Sequence, residues 1–78
     1  MKQELFDMLM SQAIAERNKA ILTLNLLSEH PAGIGDHSTG DFYKSAEEAL
    51  SMLVDADDRL TALDKYFIVA PPKKPING

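Results

Sequence analysis

Residues 42–67 carry the pattern that most restricts what this chain can fold into. Phe42, Ala46, Ala49, Leu53, Ala56, Leu60, Leu63 and Phe67 follow one another at intervals of 4, 3, 4, 3, 4, 3 and 4. A strand would alternate with a period of two. Intervals averaging 3.5 instead place all eight side chains on one stripe of an α-helix, in the a and d positions of a heptad series. Leu50 and Val54 widen the stripe, and Glu47, Asp55, Asp58 and Lys65 occupy the other side. Asp55 and Arg59 stand four residues apart, a favourable order for an ion pair along a helix. Ser38 with Asp41, and Ser45 with Glu48, both resemble capping boxes. The helix is therefore predicted over about 41–67, starting between Thr39 and Ala46.

An earlier stretch has the same periodicity. Phe6, Met10, Ala13, Ile14, Ala20, Ile21, Leu24 and Leu27 recur at threes and fours, which predicts an amphipathic helix over about 3–30. Pro31 stops it, because the residue before a proline avoids the helical region. Gly33 or Gly35 can supply the positive φ that reverses the chain within a turn at 31–40. After Phe67 the sequence reads IVAPPKKPING. Three prolines there forbid a helix and favour an extended arm over 68–78.

These elements predict an all-α fold. It is an antiparallel, coiled-coil-like two-helix hairpin over 1–67, with a proline-rich C-terminal arm. The chain has 78 residues and no cysteine. It makes one domain with a modest core, and disulfides and thiolate metal sites are excluded. Two helices alone cover each stripe on one side only, which leaves apolar surface exposed. Self-association is therefore expected, through a seam of Phe6, Met10, Ile14, Ile21, Leu24 and Leu27 with Phe42, Leu53, Leu60, Leu63 and Phe67.

Charge narrows the partners. Residues 1–30 hold three basic and four acidic side chains, residues 31–70 three and eight, and residues 71–78 two lysines and no acid. An acidic body repels phosphate backbones, so no nucleic-acid partner is expected. No apolar run reaches the roughly 20 residues that span a bilayer, so no membrane partner is expected either. The stretch MKQELFDMLM contains acids and no long apolar run, unlike a secretory signal.

Several residues invite a chemical reading. Arg17 interrupts the apolar stripe of the first helix. Folding about residue 35 brings it opposite Leu53 and near Asp57. It then either lays its stem on apolar neighbours and pairs with Asp57 or another acid, or joins arginines of other copies around a phosphate-bearing ligand. His30, Asp36, His37 and Asp41 have metal-capable side chains. However, one short loop without cysteine falls short of the converging ligands a zinc site needs, and no metal or cofactor is expected. Gly33-Ile34-Gly35 lacks the preceding strand of a phosphate loop. In the turn, His37 or Asp36 is instead expected to bond exposed backbone, with Ile34 plugging the end of the helix pair. Ser38 beside His37 does not make a nucleophile and base, since neighbouring side chains rarely converge. No enzyme activity is expected. Ile68, Val69, Lys73, Lys74 and Ile76 give the arm the means to clasp an acidic neighbouring surface.

The stretch LLSEHPAGIGDHSTGDFYKSAEEALSMLVDADDRLTALDKYF, residues 26–67, resembles a group of small uncharacterised helical-hairpin proteins of large tailed bacteriophages and prophages. The resemblance rests on Pro31, Gly33, Ile34, Gly35, Asp36 and His37 of the turn. It also rests on Ala56, Asp57, Asp58, Leu60 and Leu63 near the end of the second helix. It implies a phage origin and two roles. One is a virion structural or assembly protein, such as a capsid-decorating or cement component, whose partners are copies of itself and other phage structural proteins. The other is a counter-defence oligomer that sequesters a cyclic-nucleotide immune signal, for which Arg17, Lys19, Phe42 and Tyr43 are available. The implied location is the virion or the host cytoplasm.

Overall fold

The computed structural model describes residues 1–29 and 39–67. It is all-α among these residues. Helix α1 spans Gln3–Glu29 and helix α2 spans Thr39–Phe67, each about 40 Å long at 1.5 Å per residue. The two pack against each other as a hairpin. Residues 31–38 of the expected turn and the arm lie outside the described residues, while Thr39 and Gly40 belong to α2.

Both helices begin with favourable charge, Glu4 in the first turn of α1 and Asp41 in that of α2. A carboxylate there faces the positive end of the helix dipole. Lys65 does the converse in the last turn of α2. The hydroxyls of Thr23 and Ser28 donate to the carbonyls of Lys19 and Leu24, at 2.8 and 2.9 Å. These polar side chains thus satisfy themselves within α1 rather than reaching across to α2.

The cross-helix neighbours show that the helices run antiparallel. Leu9 shares a groove with Leu63 and Phe67, Met10 and Ile14 share one with Leu60 and Asp64, and Thr23 shares one with Ser45 and Ala49. Partners on α2 move toward its start as α1 advances. Glu16 meets Arg59. A fold about residue 35 would pair Arg17 with Leu53. The observed register is shifted from that by about one helical turn, and Arg17 faces Leu60, Thr61 and Asp64 instead.

The core consists of small residues. Ala13, Ala20, Ala49, Ala56 and Leu63 are the buried hydrophobics, with Ala13 and Ala56 fully covered. Ala13 and Ala20 are seven residues apart, as are Ala49, Ala56 and Leu63. Seven residues make two turns, so these positions form one line along each helix, and the two lines face each other. In a two-helix hairpin only the opposite helix can cover a methyl group completely. The backbones must therefore approach closely, toward the near end of the roughly 8–10 Å range of helix pairs.

Within a single hairpin most of the expected self-association seam is only partly covered. Among its large members only Leu63 is buried. Phe6, Met10, Ile14, Leu24, Leu27, Phe42, Leu53 and Leu60 are half-buried, flanking the alanine line. Ile21 and Phe67 are exposed, at 40 % and 45 %. A long side chain beside a close seam extends past the single neighbouring helix, and nothing stands further out to cover it.

Candidate functional site

The two sides of the hairpin flanking the seam differ. On one side stands Arg59, which also lines an apolar groove with Leu9, Ala62, Leu63 and Phe67. Its Nη2 donates to Glu16 Oε1 on the other helix, and lies 3.1 Å from Asp55 Oδ2 one turn earlier on its own helix. The i,i+4 partner was legible in the sequence, whereas Glu16 was not. The hydrogen bond to Glu16 and the nearby carboxylates of Glu16 and Asp55 hold the Arg59 guanidinium protonated, raising its pKa further above its already high ordinary value. This cation is neutralised by carboxylates of its own chain and is not free to clamp an anionic ligand.

Arg59 Nε is buried without a hydrogen-bond partner. An unsatisfied buried donor offsets part of what the ion pair contributes. Replacing Arg59 with methionine keeps an apolar stem over the seam and removes both terms. The variant is expected to keep its helicity and to melt slightly below the parent in low salt. That difference should shrink at 1 M salt, where the Debye length falls to about 3 Å. Thermal melts followed by circular dichroism at the two salt concentrations check this.

The opposite side mixes apolar and polar side chains. Met10, Ile14, Arg17, Leu60, Thr61 and Asp64 line a shallow groove of about 290 Å³. No salt bridge joins Arg17 to Asp57, which is exposed. The expected Arg17–Asp57 pair is therefore absent, and the interhelix ion pair forms one position along from Arg17, at Glu16. Farther along this side stand Ile21, Leu50 and Val54, all exposed.

A third surface was missed in the sequence reading. Leu5, Met8, Leu22 and Leu26 are 46, 53, 64 and 57 % exposed. They lie on the side of α1 that faces away from α2. They belong to a second series, Leu5, Met8, Gln12, Ala15, Lys19, Leu22 and Leu26, with intervals of 3, 4, 3, 4, 3 and 4. The signal was available as a second heptad register on the same helix. The first register, richer in aromatic and branched residues, obscured it.

Among the described residues no group of three or more His, Asp or Glu side chains is placed to hold a metal ion, and no helix is long and apolar enough to cross a membrane. The turn residues Pro31, Gly33, Ile34, Gly35, Asp36 and His37 and the arm residues Ile68, Val69, Lys73, Lys74 and Ile76 lie outside the described residues. No protein-family model, curated protein or solved structure matches the chain.

Proposed function

We propose that this is a non-enzymatic structural or assembly protein of a tailed phage, of the capsid-decorating or cement type, that acts by associating with copies of itself and with other particle proteins. The observation that carries the reading is the distribution of apolar side chains. Among the described residues the buried core is four alanines and one leucine, while eleven large apolar side chains are exposed. A monomer in water gains little from such an arrangement, and exposed apolar surface on this scale marks an interaction protein. The phage assignment rests on the resemblance of residues 26–67. The arm, with Ile68, Val69 and Ile76 beside Lys73 and Lys74, supplies a segment suited to an acidic neighbour.

Mass spectrometry of purified particles tests the role. The chain is expected in the virion at high copy number, and particles lacking it are expected to release their genome at a lower temperature. Its absence from particles would overturn the structural role.

Arg17 carries the second reading, a counter-defence oligomer that sequesters a cyclic nucleotide. It lines a groove of mixed polarity and makes no ion pair among the described residues. Asp64 in the same groove opposes an anion. A sponge of this kind would gain thermal stability on addition of a cyclic nucleotide, because a ligand that binds only the folded state stabilises it. The structural reading predicts no shift.

A further inference from the structure

We propose that the outward stripe of α1 is the contact through which two copies of this chain pair, with the two α1 helices antiparallel about a two-fold axis near residues 13 and 14. This rests on the reading that the chain works by association, and it names the face and the geometry.

The two helices treat their outer faces differently. Behind α2 stand Lys44, Glu47, Ser51, Asp55, Asp58 and Lys65, with Val54 among them, all exposed. That is an ordinary solvated face. Behind α1 stand Glu4, Ser11, Asn18 and Glu29, and beside them runs an exposed stripe of Leu5, Met8, Ala15, Leu22 and Leu26, interrupted by Gln12 and Lys19. A helix that is apolar on both sides is normally covered on both sides, and α2 covers only one.

The order of residues in the stripe favours a second copy as the occupant. The stripe is close to palindromic. Laid antiparallel on itself, it sets Leu5 against Leu22, Met8 against Lys19 and Gln12 against Ala15, and each pairing occurs twice by symmetry. Met1, just ahead of the helix, then meets Leu26. Large apolar side chains face large ones at the ends, Met8 lies against the Lys19 stem, and Gln12 meets Ala15 in the middle. An isologous contact requires this self-complementarity.

Charge selects the orientation. In a parallel pair Lys19 would face Lys19 of the other copy, which is destabilising. In the antiparallel pair the Lys19 stem lies over Met8 and its ammonium group comes one turn from Glu4 of the other copy, a distance a lysine can reach. The exposed parts of the five large side chains offer on the order of 500 Å² per copy. Wholly covered in both copies, they would bury roughly 1,000 Å², the low end for a specific interface.

The test uses the full chain. Leu22→Glu puts an unpaired carboxylate into the contact and is expected to weaken dimerisation about a hundredfold in sedimentation. Leu22 does not support the hairpin, so helicity should be retained. Glu4→Lys and Lys19→Glu should each weaken the dimer, and the double exchange should restore it. The chain has no native cysteine, so a variant carrying Leu5→Cys and Leu22→Cys reports the register. It is expected to give an oxidised dimer linking position 5 to position 22. A Leu22→Glu protein that remains dimeric, or a crosslink of 5 to 5, overturns the proposal while leaving association intact. A monomeric parent overturns both.

Discussion

Shortening Leu63 to alanine is expected to destabilise the hairpin by about 2–5 kcal/mol, the usual range for removing a buried leucine. Leu63 is the only large side chain among the buried residues described, so its loss removes the largest part of the buried apolar core. Native proteins hold about 5–15 kcal/mol in total, so this variant should lose a large share of its stability. Urea denaturation followed by helical circular dichroism measures it, at one fixed protein concentration because association adds to apparent stability. A loss below about 1 kcal/mol would place Leu63 outside the core.

Enlarging Ala56 to leucine should also destabilise, by about 1–3 kcal/mol, the typical cost of overpacking. A reading of the heptad by hydrophobicity alone predicts the opposite, because leucine is the better d-position residue in an ordinary coiled coil. The difference arises because Ala56 is fully covered by one facing helix, which leaves no room for three further carbon atoms unless the helices separate. Separation would uncover Ala13, Ala20 and Ala49 together. The same denaturation measurement decides between the two readings, and a stabilised Ala56→Leu protein would show that the seam is wide.

The two helices and their antiparallel packing were legible because backbone geometry repeats every 3.6 residues and the apolar residues follow it over 27 and 29 positions. The identity of the core was harder to read. Ala13, Ala20, Ala49 and Ala56 were visible in the spacing, yet the large residues were expected to make the seam. Burial depends on what stands opposite a side chain as well as on its size. In a pair of helices the shortest side chains are the ones wholly covered, and Ile21 and Phe67 extend past the cover.

The ion pair shows a different limit. Asp55–Arg59 is set by helix geometry alone and could be read from spacing. Glu16–Arg59 depends on interhelix register, and a pivot placed at residue 35 puts the wrong residues opposite each other by about one turn. Arg17 attracted notice because it interrupts an apolar stripe, whereas Glu16, a charged residue among charged residues, did not. The outward stripe of α1 was hidden for a related reason. Two heptad registers on one helix make it look broadly apolar, and only the packing of α2 shows which register is already used.

Sedimentation equilibrium of the full chain over a range of micromolar concentrations tests the central claim most directly. If the exposed apolar faces are working surfaces, the chain should sediment as a multiple of its 8.6 kDa mass and dissociate on dilution. A single 8.6 kDa species at every concentration would contradict the account.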